Sequence, residues 1–472
     1  MVSEQRVPNT RLAAVMKLAG ATNKGLARRV RLLSETDGEG EPVRADHVAV
    51  KRWLDGTNRH PHPRTCKLIA RVLGDLLGRV VSLEEIGYID QTTTPDVGAD
   101  YPEEVTQSVV ALGAITDLEL RMPNQVAHLT VVPEAWSGLV LRWLMDGDSE
   151  SSRPPAEPRS ITSMDVESVR AATQMFSTFD YKFGGGRPKS MVASFLDTEV
   201  MPLLSHVSPY DAVGREYFRE VAALTRLAGW TAYDTGAHGL AQRYLTQAFR
   251  LAKAVRDKAL CGRILAGMSH QANFLGYHQR AADLARAAYK GANGYATPTT
   301  MALFHAMEAR ALAAMGKEAD TTAALITAER WHNQGDLTND PEWIKYFDSA
   351  ELHAEFAHCF RDLGNGELAG HHAEISLAEA GSIYVRSTSF VRTVLCSAHL
   401  LSGDLDQALH EARAVLEVAA QLRSYRVISY LQEFQTRLAP HAANALVREF
   451  IEHAAGIIPS EHAPVTTRLI VA

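Results

Sequence analysis

The sequence is poor in the features that announce most chemistries. Its four cysteines, Cys66, Cys261, Cys359 and Cys396, form no CxxC pair and fit a reducing compartment as small core residues. No apolar run approaches the ~20 residues that span a bilayer. The opening "MVSEQRVPNTRLAAV" lacks the basic tip and apolar core of a signal peptide, so a cytoplasmic protein is expected. No HExxH, nucleophile elbow or dinucleotide fingerprint occurs, so neither an enzyme nor a cofactor is expected.

Two stretches imitate chemical motifs and fail on spacing. "FGGGRPKS", residues 183 to 190, has glycines before Lys189 and Ser190, but Pro188 stands where a phosphate loop needs its last glycine, and the residues ahead of it read as a helix. It is better read as a helix stop followed by a proline-started helix. His353, His358, Cys359, His371, His372, Cys396 and His399 cluster in sequence, but "HAEFAHC" spaces its histidines by five, about 140° apart on a helix, so they share no face. No metal site is expected.

What is present is helical and unevenly charged. A chain of 472 residues, 46% apolar and 22% charged, suits two or three domains or one extended repeat array. Residues 1 to 88 hold 15 Lys/Arg against 10 Asp/Glu, a balance of +5, whereas the remainder holds 33 against 45, a balance of −12. A small basic module on an acidic body is a common plan for a DNA-binding protein, because phosphate neutralisation needs cations only where the duplex docks.

Periodicity divides the basic module into short helices. Asn9 or Thr10 can cap a helix bearing Leu12, Val15, Met16 and Ala19, which Gly20 stops. Thr22 can cap a second, with Leu26, Val30 and Leu33 inside and Lys24, Arg28 and Arg31 outside. Asp46 can cap a third, "HVAVKRWLD", with Val50, Trp53 and Leu54 on one side and His47, Lys51 and Arg52 on the other. Pro63 opens a fourth, and "SLEE" at 82 to 85 reads as the capping box of a short fifth.

"LARRV", "VKRWLDG" and "PHPRTCKLIARVL" together resemble the lambda-repressor-like helix-turn-helix family over about 80 residues, with a longer loop between helices two and three than the family's tight turn. The resemblance implies that helix three enters the major groove of a double-stranded DNA operator, with His47, Lys51 and Arg52 reading base edges and Val48 as an apolar contact. Asn23, Lys24, Arg28, Asn58, Arg59 and Arg64 would sit nearer the backbone and position the module on phosphates, and Arg44 completes the set.

Residues 91–160 read as a linker or hinge containing an uncertain helical segment around Trp136 and Trp143, with "DGDSESSRPPAEPRS" at 146 to 160 the stronger connector. From 161 to 460 the chain repeats. Gly236, Gly276 and Gly316 are 40 residues apart, as are Ala248, Ala288 and Ala328, and Gly364 and Gly403 follow at 48 and 39. Each unit reads as helix, glycine turn, helix, and resembles the tetratricopeptide repeat with longer connections. Residues 461–472 read as a tail.

The expected fold is therefore all-α: an N-terminal helix-turn-helix domain over 1–90, then an α-solenoid of tetratricopeptide-like hairpins. First helices of such repeats line an inner wall suited to a peptide or small-molecule effector. Candidate inward residues are His270, Gln271, Asn273, Arg310, Tyr346, Glu351 and Arg386.

The combination resembles actinobacterial regulators that join these two parts, several of which restrain sporulation and antibiotic production, and more loosely the peptide receptors of bacterial quorum sensing. It implies a nucleoid-associated, homodimeric transcriptional regulator, more specifically a repressor. The alternative is a protein-interaction scaffold whose N-terminal domain does not read DNA.

Overall fold

The computed structural model describes residues 8–36, 42–57, 61–79, 81, 83, 85–88, 97–127, 129–145 and 161–458. All regular elements among them are helical, and the chain divides into two compact units, Met1–Asp96 and Val97–Ala472. No helix among the described residues is long and apolar enough to cross a membrane.

The first unit has α1 (Thr10–Leu18), α2 (Asn23–Thr36), α3 (His47–Leu54) and α4 (Pro63–Leu77). The caps are the expected ones. Asn9 accepts from the Leu12 N–H at 2.9 Å, Thr22 from Gly25 at 3.1 Å and Asp46 from Ala49 at 2.7 Å, each satisfying an otherwise orphaned donor of a first turn. Leu12, Val15, Leu26, Val30, Val50, Trp53, Ile69 and Leu73 form one core, so the short helices are held by packing rather than by propensity. Where a fifth helix is expected at 82 to 85, the described residues Leu83 and Glu85 form turns, and the Glu85 carboxylate accepts from the Arg79 guanidinium at 3.0 Å.

The second unit begins with α5 (Val105–Arg121), α6 (Pro123–Val126) and α7 (Pro133–Met145), then α8 (Ser163–Phe183) and α9 (Lys189–Phe195), which runs through one π turn into α10 (Met201–Leu204). Five glycine-turn hairpins follow: α11 (Ala212–Asp234) with α12 (His238–Ala254), α13 (Lys258–Phe274) with α14 (His278–Gly291), α15 (Pro298–Ala314) with α16 (Glu318–His332), α17 (Ser349–Asp362) with α18 (Gly366–Glu379), and α19 (Val385–Leu401) with α20 (Leu405–Ala419). Gly236, Gly276, Gly316, Gly364 and Gly403 sit in their turns with φ between 71 and 83°, a left-handed conformation that disfavours any side chain. A last pair, α21 (Tyr425–Arg437) and α22 (Ala445–Ile457), ends the unit. The 48-residue spacing accommodates the connection after α16, which carries one 3₁₀ turn at Glu342–Ile344.

The expectation that 91–160 is a linker is corrected for residues 97–145, which are built into the second unit. α12 presents a buried polar face to their backbone. Gln242 exchanges two hydrogen bonds with Val132, both 2.8 Å, Arg243 donates to the Thr130 carbonyl at 3.0 Å, and Arg250 to that of Glu103 at 2.7 Å. Trp143 reaches the Ala287 carbonyl at 2.9 Å. The partner of the α12 side chains is irregular backbone, which leaves no periodic trace in a sequence. The connector at 146 to 160 and the tail at 461–472 lie outside the described residues.

A Cβ on Gly239 would stand 2.1 Å from the Leu129 carbonyl oxygen, so the docked segment needs glycine there. Gly239→Ala should destabilise the protein by about 1–3 kcal/mol through overpacking, exceeding the ~1 kcal/mol that alanine gains in a helix. Gly138→Ala, with nothing within 4 Å, should be neutral or stabilising. Urea denaturation of the two variants checks the pair.

Candidate functional site

On α3 the apolar and basic faces separate cleanly. Val50 and Trp53 are buried, while His47, Val48, Lys51 and Arg52 are exposed. Arg44 before the helix and Lys24 and Arg28 on α2 are also exposed, and Asn23 is half-buried. Arg64 is partly committed to the fold: its guanidinium donates to the Ser34 carbonyl at 3.0 Å and ties α4 to α2. Asn58 and Arg59 lie outside the described residues.

The second unit carries a partly open cavity. Its wall comes from α8 and from the first helix of each hairpin, as expected for such repeats. Five of the seven candidate residues line it: His270, Arg310, Tyr346, Glu351 and Arg386. Gln271 and Asn273 do not, because on α13 they lie off the face that carries Arg263, Ala266, Gly267 and His270. Gln271 is fully buried and donates to the His238 carbonyl at 2.8 Å, and Asn273 Oδ1 accepts from the His278 ring Nδ1–H at 2.7 Å.

The inner wall is not open along its length. α21 lies against it: Tyr430 packs on Phe274, His358 and Phe390 with ring centroids 6.4, 5.7 and 5.0 Å away. Arg426 sits over the rings of Phe390 at 4.4 Å and Tyr233 at 4.7 Å. An extended peptide or a partner helix laid along the first helices would meet α21, so the accessible space is the cavity.

Charge in the cavity is ordered. Arg310 donates to Glu355 at 2.7 Å. Arg386 pairs with Asp180 and stands 3.5 Å from Asp234. Burial works against the Arg386 charge, but the two aspartates outweigh it and hold its pKa above the ordinary value. Burial, with Arg426 and Arg310 nearby, pushes the His270 ring well below its usual range, and burial with Arg310 does the same to His358. Both are therefore neutral imidazoles. Residues that sequence reasoning missed here are Asp180, Arg226, Trp230, Arg263, His358 and Arg426. A signal existed for two of them: Trp230 and His358, like the candidates His270 and Arg310, each stand six positions before the turn glycine of their hairpin.

Among the histidines that cluster in sequence, His353 and His372 touch through their Nδ1 atoms at 2.8 Å and stack, while His358 belongs to the cavity.

Residues 12–89 match the family described as the SP15 N-terminal domain, a similarity confined to the first unit. No curated protein matches the chain.

Glu351 is pushed up to about 8 by burial, then by the like charges of Glu355 and Asp348, against the pull of Arg386 and Arg310; the hydroxyls of Tyr346 and Tyr384 also feel its charge. The folded state thus keeps a proton that the unfolded state releases at the ordinary 4.5, and stability falls as pH rises between these values. Glu351→Gln should match the parent below about pH 4.5 and be progressively more stable than it up to pH 8. Thermal melts of both proteins across that range check the sign, independently of the histidines they share.

Proposed function

We propose that the chain is a sequence-specific DNA-binding transcriptional regulator, acting as a homodimeric repressor on double-stranded operator DNA. The single observation that carries this reading is the basic face of α3. Val48, Lys51 and Arg52 stand exposed at the positions left free when Val50 and Trp53 bury, in a module whose charge is opposite to that of the rest of the chain. Arginine and lysine on such a helix reach guanine edges, and an exposed valine suits a thymine methyl. Asn23, Lys24, Arg28 and Arg44 supply phosphate contacts. A module this small gains operator affinity by pairing half-sites, which is the reason for the dimer. The work of such a regulator lies at the nucleoid.

The second unit we read as the sensor: a small-molecule or peptide effector in the cavity biases DNA affinity by binding one conformation better than another. The restraint of development and secondary metabolism is carried over from the resemblance of most of the chain to regulators of that kind.

DNA affinity should fall linearly on a logarithmic salt scale, with a slope of about −0.9 per phosphate neutralised. Lys51→Ala with Arg52→Ala should erode discrimination between DNA sequences by about 1–3 kcal/mol for each base edge no longer read, whereas Lys24→Ala should weaken all sequences alike and lower the salt slope by about one. Binding titrations on specific and random duplexes at several salt concentrations measure both. Salt-insensitive binding, or no binding, would favour the protein-interaction scaffold.

A further inference from the structure

The cavity holds more cation than the fold uses. Five arginines line it against three carboxylates, Asp180, Glu351 and Glu355. Arg310 takes Glu355, Arg386 takes Asp180, and Asp234 behind the wall serves Arg386 and Arg426 at 3.5 and 3.8 Å. Arg226 on α11 and Arg263 on α13 have no carboxylate within ion-pairing distance among the described residues. They are also close to one another: burial, and then the Arg263 charge, push Arg226 down to about 10. Arg263 is buried, its Nε–H has no hydrogen-bond partner, and its guanidinium lies over the Tyr346 ring at 5.1 Å.

Two neighbouring guanidinium groups without an ion-pair partner of their own are costly in a low-dielectric wall, and an oxyanion relieves that cost. Further donors on lining residues are buried and unpaired, among them Nε of Arg310, Arg386 and Arg426. The lining holds more arginine than carboxylate. Around it stand flat rings: Tyr181 lies 5.2 Å from Tyr384 and 6.4 Å from Tyr346, and Trp230 is one turn beyond Arg226. A planar carboxylate or phosphate matches the guanidinium fork, and rings accept an apolar body. With α21 on the inner wall, that body must be compact.

We propose that this cavity takes a compact organic anion, its carboxylate or phosphate held by Arg226 and Arg263 and its flat apolar body packed among Tyr181, Tyr384 and Trp230. The inference rests on the sensor reading of the second unit and gives its effector a chemistry.

Calorimetric titration of the full chain with naphthoate, naphthyl phosphate, the neutral naphthalenemethanol and a hexapeptide ending in a phenylalanine carboxylate tests it. One anion should bind per chain, the alcohol at least tenfold more weakly. Arg226→Gln or Arg263→Gln should weaken the anion at least tenfold without lowering the melting temperature, since each removes one of two repelling charges. Arg226→Lys, which keeps the charge and loses the fork, should fall between.

The site is overturned if no anion binds, if the alcohol binds as well as the anions, or if the double Arg→Gln variant keeps its affinity within twofold. A hexapeptide tighter than naphthoate overturns the compact ligand. DNA affinity read in the same samples separates the two claims. Anion binding that leaves DNA affinity unchanged refutes the sensor and keeps the site. An anion effect on DNA that survives in the double variant refutes the site and keeps the sensor.

Discussion

Asp234 ends the first helix of the first hairpin with no exposure to solvent, and its carboxylate is where the second unit closes on itself. One oxygen accepts from the Gly185 N–H at 2.8 Å and the other from the Ser424 hydroxyl at 3.0 Å, while Arg386 and Arg426 approach from α19 and α21. Asp180 on α8 shares Arg386. Elements more than 200 residues apart in sequence thus meet around buried charge. Such a network costs desolvation and gains stability only when its hydrogen bonds are nearly complete; what it does supply is register, since a slipped hairpin would strand a charge.

The three glycines of "FGGGRPK" follow from that closure. Gly184 leaves α8 with φ of 81°, and a Cβ on Gly186 would stand 2.8 Å from the Arg423 carbonyl oxygen. Gly185 is similarly pressed on Asp234, its Cβ position 2.8 Å away. The stretch that imitates a phosphate loop is a close-approach turn, with Pro188 preceding α9. Because first and last hairpins are held together there, α21 is fixed against the inner wall, and the space left beside it is the cavity with its surplus of arginine.

Much of this was legible in the sequence, and the limits have physical causes. The hairpins announced themselves because each needs a left-handed residue in its turn, and glycine at 236, 276, 316, 364 and 403 met that need at nearly constant spacing. In the first unit, caps and apolar stripes marked four helices, since the capping residues and the faces that pack into the core are both written locally. Polar residues could not be sorted by type. Gln271 and His270 look alike as candidates, yet the rotation of about 100° between neighbouring helical residues separates a side chain that bonds the His238 backbone from one that lines the cavity. Residues 97–145 were missed as part of the second unit because they follow no repeat spacing and several of their polar contacts run through irregular backbone. The role of Arg426 depended on α21 folding back onto the wall, a long-range event without a local signature.

The account assigns opposite tasks to the two units: a basic face on α3 for DNA and a buried, arginine-rich cavity for an anion. Its central claim is that the full chain reads DNA sequence, and selection of bound duplexes from a random pool tests that most directly. The account predicts enrichment of one motif as two related half-sites about 10 base pairs, or a multiple of it, apart. Recovery of unenriched, random sequence by the folded full-length protein would contradict it.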